Sequence, residues 1–111
     1  MISLTHKKVE EVTVVEFSGK LNTSTSPQTE KYINNLIEEG ITNIIFDFET
    51  LDMISSTGLR IILATGKKLN RLKGKVVISG PNYSVNDVLR ISGFKNMFDV
   101  MDSVVDSLAK F

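Results

Sequence analysis

Alternating polar and apolar residues at the start of the chain predict a β-hairpin. The runs Ile2–Val9 and Val12–Phe17 are rich in β-branched residues or alternate in polarity, and only Glu10 and Glu11 separate them. Two such runs joined by two residues are typical of antiparallel strands. We expect Gly19 to end the second strand.

The next hydrophobic pattern has a helical period and predicts the first helix. Ser26 is placed to cap this helix and Pro27 to be its first residue, because the missing amide hydrogen of proline is not needed there. We expect Gly40 to end the helix. Its buried stripe consists of Ile33, Leu36 and Ile37.

A nearly continuous apolar run, Ile44–Phe48, predicts a central strand that is covered on both faces. A loop anchored by Leu51, Met53 and Ile54 should follow this strand and lead into the segment Ser55–Gly58. The second helix should then run to Leu72, because apolar and small residues recur at helical spacing. These residues are Leu59, Ile62, Leu63, Gly66 and Leu69.

Shorter patterns complete the chain. Val76–Ile78 predicts the next strand, and Ser84 with Asp87 three residues later marks the start of a third helix that Gly93 closes. A short last strand at Phe98–Val100 should precede a terminal helix. Asp102 or Ser103 can cap that helix.

The element order is therefore ββαβαβα(β)α. Parallel strands need helical crossovers, and such crossovers are almost always right-handed. This order predicts an α/β layer structure with a mixed, mostly parallel sheet of four to five strands and about four helices. A chain of 111 residues has material for one hydrophobic core, so residues 1–111 should form a single domain.

Composition excludes several classes of protein. Thirteen basic and 13 acidic residues give zero net charge, which argues against a dedicated nucleic-acid binder. Without cysteine there is no disulfide, no thiolate nucleophile and no sulfur-ligated metal, as in an ordinary cytosolic domain. Apolar runs such as Ile61–Leu63 are far shorter than the roughly 20 residues that cross a bilayer, and no signal peptide is visible, so we expect neither membrane insertion nor secretion.

Catalytic and cofactor motifs are also missing. The seven glycines match neither the phosphate-binding loop of nucleotide hydrolases nor the dinucleotide fingerprint. His6 is the only histidine and has no second histidine at metal-ligand spacing, which favours a structural role. We expect no enzyme activity, cofactor or metal. The aromatic residues Phe46, Phe48, Phe94 and Phe98 are expected in or beside the core.

Three hydroxyl residues, Ser55, Ser56 and Thr57, lie where the central strand passes into the second helix. The first amides of a helix lack partners and carry the positive end of the helix dipole. One hydroxyl there can act as the N-cap. Another can accept a phosphate, which adds about two negative charges beside amides that can hold it. Both roles are open, for different hydroxyls.

This segment, Phe48–Leu59, resembles the signature of STAS domains, the anti-sigma factor antagonists of bacteria. In that family a strand leads into an aspartate, a phosphorylatable serine, a serine or threonine, a glycine and a leucine. Phe17–Asn22 resembles the second strand and its turn, Gly40–Phe48 the third strand, and Leu89–Phe94 the closing segment. The resemblance extends over the whole chain and implies the same fold.

The resemblance implies a cytoplasmic regulatory protein, a monomer or weak dimer, that binds an anti-sigma factor with GHKL-type serine kinase activity. It places the phosphate acceptor at Ser56, two residues before Gly58. Phosphorylation would end binding, because a dianion in a contact surface costs desolvation and repulsion. A partner backbone is expected to approach Gly58 closely. The implied contact residues are Asn22, Thr23, Ser55, Ser56, Thr57, Gly58, Arg60 and Ile61.

Three residues depart from the family pattern and support alternatives. Asn22 and Ser55 stand where the family has aspartates, and Arg60 stands where it has a glycine. A less negative rim suits a kinase tuned to acids poorly, so the protein could hold its partner constantly. It could also be an unphosphorylated STAS subunit of a lipid-transport ABC complex. A small-ligand sensor finds no support in the residues.

Charge is distributed unevenly along the chain. Six basic residues and no acidic one lie between Met53 and Asn86, whereas five acids and no base lie between Lys31 and Arg60. Two explanations are open for the cations Lys67, Lys68 and Arg71. They interact favourably with the negative end of their helix dipole, or they form a stripe that faces a partner. Arg60 in the first turn opposes the dipole and needs another explanation.

Overall fold

A computed structural model describes residues 1–111, which form five strands, four α-helices and one 3₁₀ turn. The sheet has the strand order β1-β2-β3-β4-β5, in which β1 and β2 are antiparallel and the other neighbours are parallel. The α/β class and the predicted element order are confirmed. The elements are β1 (Ile2–Val9), β2 (Val12–Leu21), α1 (Ser26–Glu38), β3 (Asn43–Ile54), α2 (Ser56–Arg71), β4 (Lys75–Ser79), α3 (Tyr83–Ile91), the 3₁₀ turn (Phe94–Asn96), β5 (Asp99–Met101) and α4 (Val104–Leu108).

The strand order places three helices on one face of the sheet. Strands β2 to β5 are added one after another in the same direction, and right-handed crossovers that progress this way lie on one side. Accordingly, apolar residues of α1, α2 and α3 share one core cluster with β2, β3 and β4. The central aromatic group of that cluster is Phe17, Phe46 and Phe48, with Phe17 edge-to-face against the other two rings at 5.4 and 5.0 Å. Phe46, Phe48 and Phe94 are fully buried and Phe98 is half-buried, as predicted.

The second face of the sheet is covered only in part. A cluster of four buried apolar residues there packs against Val104 and Leu108 of α4. Lys7 pairs with Val14, a member of this cluster, so its side chain lies on the face opposite to α1, α2 and α3. No helix combines the length and the hydropathy needed to cross a bilayer. The four buried residues are Val12, Val14, Ile45 and Val77.

Two predicted strand ends are wrong, and the errors share one cause. Gly19 does not end β2: it adopts φ +107°, the pairing with β3 shifts register beside it, and the strand continues to Leu21. This extra length gives β3 a partner beyond Phe48, so the predicted loop through Leu51 and Ile54 is strand. The Thr50 hydroxyl donates to the carbonyl oxygen of Phe17 (2.8 Å), where the register also shifts.

Helix starts differ from the predicted caps in two places. Ser26 lies inside α1, after the N-cap Thr25, and its hydroxyl donates to the carbonyl oxygen of Asn22 (2.6 Å). Helix α3 begins one residue before Ser84, because Asn82 is the cap and accepts from the backbone N–H of Val85 (2.8 Å). Of the two candidates for α4, Ser103 is the cap.

Candidate functional site

The hydroxyl residues lie at the edge of the sheet formed by the carboxyl ends of the parallel strands. In open α/β sheets ligands usually bind outside this edge. The loop that follows β2 and the start of α2 meet there. The backbone N–H of Ser55 donates to the carbonyl oxygen of Leu21 (2.9 Å), which joins the end of β2 to the start of α2.

The three hydroxyls that open α2 have different surroundings. Ser55 is the N-cap, and its Oγ accepts from the backbone N–H of Gly58 (3.1 Å). Thr57 is half-buried, with its Oγ1 3.4 Å from Oγ1 of Thr23. Ser56 is exposed, and its hydroxyl makes no hydrogen bond within the protein. The structure thus separates a capping hydroxyl from a free one.

Asn22 shapes the loop after β2. Its Oδ1 accepts from the backbone N–H groups of Ser24 (3.0 Å) and Thr25 (3.1 Å), and its backbone oxygen accepts from the N–H of Ser26 (2.9 Å). Every one of these side-chain contacts uses the acceptor oxygen of the amide. An aspartate could therefore form the same turn with a negative charge added.

Gly58 is required by a contact inside the protein. A Cβ at this position would lie 2.6 Å from Cγ of Leu21 and 2.9 Å from its carbonyl oxygen. Gly58 is itself buried, and Leu21 is fully buried. The sequence led us to expect a partner backbone here, but the close neighbour is the chain's own strand β2.

Arg60 and Ile61 occupy the first two turns of α2 with different exposure. Arg60 is exposed and has no carboxylate within 4 Å, whereas Ile61 is half-buried. Arg60 follows Ser56 by four residues, so the two side chains share one face of the helix. The site therefore combines a free hydroxyl with an unpaired cation.

Asn82 is a residue of this edge that sequence reasoning missed. Its Nδ2 donates to the carbonyl oxygens of Leu51 (3.1 Å) and Asp52 (3.2 Å), so the cap of α3 is tied to the end of β3. Tyr83 follows it as the first residue of α3 and is 87% exposed. The signal was the pair Gly80-Pro81, which marks a turn, followed by an asparagine, which is a preferred N-cap residue.

His6 lies on β1, outside this site. Its Nδ1 shares a hydrogen bond with the hydroxyl of Tyr32 on α1, and the rings meet edge to face with centroids 5.6 Å apart. Burial, and after it the charge of Glu39, raises the pKa of the Tyr32 hydroxyl above its ordinary value. The pair joins a strand to a helix, in keeping with a structural role.

Comparisons with known proteins agree on one family. Residues 3–107 match the model of the STAS domain family. BtrV of Bordetella bronchiseptica, assigned as an anti-sigma factor antagonist, is 30% identical over 110 residues, which are 99% of this chain and 95% of BtrV.

Solved structures show the same fold. An anti-sigma factor antagonist from Mycobacterium paratuberculosis superposes with a TM-score of 0.92 at 21% identity, over 99% of this chain and 93% of that one. SpoIIAA, a Bacillus cell fate determinant and anti-sigma factor antagonist, superposes with a TM-score of 0.75 at 23% identity. The match covers 97% of this chain and 96% of the unphosphorylated SpoIIAA, whose structure is also known in the phosphorylated form.

The two serines should respond differently to substitution. Ser55→Ala removes the cap of α2 and should lower the free energy of unfolding by about 0.5 to 2 kcal/mol. Ser55→Asp keeps an acceptor in place and should restore most of that loss. Ser56→Ala is the matched control, because it removes a hydroxyl without a partner, and its effect should stay within about 0.5 kcal/mol. Urea denaturation measures all three, and equal losses for both alanine variants would contradict the division of roles.

Gly58→Ala should destabilise the protein. In an open helix this change is favourable by up to about 1 kcal/mol, but here the new methyl group meets the backbone of Leu21, and overpacking of this kind costs about 1 to 3 kcal/mol. Thermal unfolding measures the net effect. Ala64→Gly, at an exposed position of the same helix, gives the ordinary helix-propensity difference for comparison. A more stable Gly58→Ala variant would contradict the contact with Leu21.

Proposed function

This chain belongs to the STAS domain family, and on that premise we propose that it is an anti-sigma factor antagonist controlled at Ser56. In this proposal it binds an anti-sigma factor that is also a serine kinase, and so releases the sigma factor. Phosphorylation of Ser56 then ends binding. The protein itself acts as a binding module and supplies no catalytic group.

The observation that carries the proposal is the state of the Ser56 hydroxyl. It is exposed at the first position of α2 and has no internal partner, so an incoming kinase can reach it without unfolding the helix. Ser55 is committed to the cap, and Thr57 is half-buried against Thr23. Among the three hydroxyls at this helix start, Ser56 is therefore the best acceptor.

The chemistry needs only this one group from the chain. Oγ of Ser56 attacks the γ-phosphorus of ATP held by the kinase, its proton passes to a base of the kinase, and ADP leaves. The product is a dianion beside the unpaired amides and positive dipole end of α2, which favour it. Arg60, four residues on, can pair with the phosphate. The helix tolerates the modification while the contact surface gains about two negative charges.

Asn22 and Ser55, two neutral residues near Ser56, affect the expected rate of phosphorylation. Asn22 and Ser55 make structural hydrogen bonds through acceptor oxygens, and an aspartate at either position could accept the same hydrogen bonds. At these positions the chain therefore keeps the shape of an acidic rim without its charge. A kinase that recognises carboxylates would engage this rim weakly.

The relatives support the proposal in different ways. BtrV shares nearly its whole length with this chain and is assigned as an anti-sigma factor antagonist. SpoIIAA, which has the same fold, is known in phosphorylated and unphosphorylated forms.

Ser56→Glu should weaken binding to the anti-sigma factor without loss of stability. A negative charge at a helix N-terminus favours the fold by about 0.3 to 1 kcal/mol, whereas in the contact surface it costs desolvation and repulsion. Calorimetric titration with the purified anti-sigma factor of the source organism measures affinity, and a melting curve measures stability. Ser56→Gln, of the same shape without the charge, is the control.

The outcomes separate this reading from others. Normal affinity of Ser56→Glu would place the contact elsewhere. If affinity and melting temperature fell together, Ser56 would have a structural role. Selective capture of an ABC transport ATPase, with no binding to any anti-sigma factor, would favour the alternative hypothesis, a subunit of a lipid-transport ABC complex.

Restoring the acids should speed phosphorylation. We expect the double variant Asn22→Asp/Ser55→Asp to accept phosphate from the kinase faster than the wild type, because both carboxylates fit the existing hydrogen bonds and restore an acidic rim. A timed transfer assay with mass spectrometry gives the rate and the modified residue. Fast, complete phosphorylation of the wild type would exclude a constant binder, and phosphate on Ser55 or Thr57 alone would contradict the assignment of Ser56.

A further inference from the structure

Unpaired cations follow one face of α2 from the proposed phosphorylation site to the end of the helix. Arg60, Lys67 and Arg71, here called the basic stripe, lie four, eleven and fifteen residues after Ser56. With about 3.6 residues per turn these spacings place all four side chains on the same face, with the exposed Ala64 between them. The three cations span about 16 Å along the helix.

The basic stripe is not neutralised within the protein. All three side chains are exposed, and none has a carboxylate within 4 Å. Helix α2 contains no acidic residue. The neighbouring helix α1 has two glutamates, Glu30 and Glu38, and neither pairs with α2. The ion pairs of the chain lie elsewhere.

The helix dipole does not explain this pattern. It favours cations in the last turn of α2, which accounts for Arg71. Lys67 precedes that turn. Arg60 lies in the second turn, near the positive end, where a cation is mildly unfavourable. The dipole therefore accounts for one of the three cations and leaves Arg60 and Lys67 to another cause.

We propose that the basic stripe is the docking surface for an acidic face of the anti-sigma factor, a proposal that rests on the function proposed above. The row is continuous with Ser56, so a partner seated at the start of α2 would cover it. Nucleic acid fits less well, because the chain has zero net charge and α2 offers no aromatic side chain for base stacking. An acidic protein face of about the same length matches three separated charges.

The stripe also gives the phosphate a second route to release the partner. Phosphoserine at position 56 would draw Arg60 into an ion pair within the helix, which removes the first cation from the docking surface. This effect acts at the end of the stripe next to Ser56.

Association kinetics test this proposal. The triple variant Arg60→Gln/Lys67→Gln/Arg71→Gln should associate with the purified anti-sigma factor about tenfold more slowly at low salt, and its rate should depend less on ionic strength. Lys7→Gln is the matched control: Lys7 is exposed and free of ion pairs but lies on the opposite face of the sheet. If only net charge mattered, loss of one cation would slow association about twofold where loss of three slows it about tenfold. Under the proposal Lys7→Gln should instead keep the wild-type rate. Circular dichroism should show both variants folded.

Several outcomes overturn the proposal. Wild-type kinetics of the triple variant would place the partner elsewhere while leaving the function at Ser56 intact. Slowing of Lys7→Gln by about twofold would show a general charge effect. A wild type that binds no anti-sigma factor would remove the premise. In that case, loss of binding to duplex DNA or to phosphatidylglycerol vesicles in the triple variant would assign the stripe to a polyanion.

Discussion

The carboxyl end of β2 holds the candidate site together, and Leu21 is the residue on which most of its geometry depends. The carbonyl oxygen of Leu21 accepts the N–H of Ser55, and its side chain packs where Gly58 has no Cβ. These contacts fix the first turn of α2 against the sheet. A larger residue at position 58 would push the helix away and move Ser56 with it. The absence of a side chain at Gly58 therefore positions a hydroxyl two residues earlier.

Neighbouring hydroxyls at the start of α2 have different roles. Ser55 accepts the hydrogen bond from the amide of Gly58, whereas Ser56 makes no hydrogen bond within the protein and is exposed. Modification of the capping Ser55 would rearrange its hydrogen bond with the amide of Gly58, whereas modification of Ser56 would leave that bond in place. Separation of the cap from the proposed acceptor would therefore let a phosphate change the surface without disturbing the helix start.

Local patterns in the sequence predicted the elements well, and contacts between distant segments account for the errors. The buried stripe of α1, the central strand and the start of α2 follow from periodicity and capping residues near one another in sequence. The length of β3 does not, because Leu51 and Ile54 become strand only where β2 continues past the bulge at Gly19 to meet them. The cap of α3 was missed for a similar reason: Asn82 is held by the carbonyl oxygens of Leu51 and Asp52 in addition to its own helix.

Within the site, the structure shows what each residue touches, which the sequence could not. The family resemblance implied Ser56 as the phosphate acceptor, and its hydroxyl is free in solvent. The same resemblance led us to expect a partner at Gly58, but the close contact at its missing Cβ is with Leu21 of the same chain. No pattern near Gly58 in the sequence predicts that Leu21 packs against this position of the helix.

The magnitudes explain why a phosphate here would switch binding and leave folding intact. A negative charge at the N-terminus of α2 is worth about 0.3 to 1 kcal/mol in favour of the fold, and a pair with Arg60 adds about 0.2 to 0.5 kcal/mol. In the proposed contact surface the same charge would cost several kcal/mol through desolvation and repulsion. The two effects have opposite signs, so the modified protein would stay folded as its complex dissociated. In the proposed switch Arg60 would contribute to both effects, because it would attract the partner before modification and neutralise the phosphate afterwards.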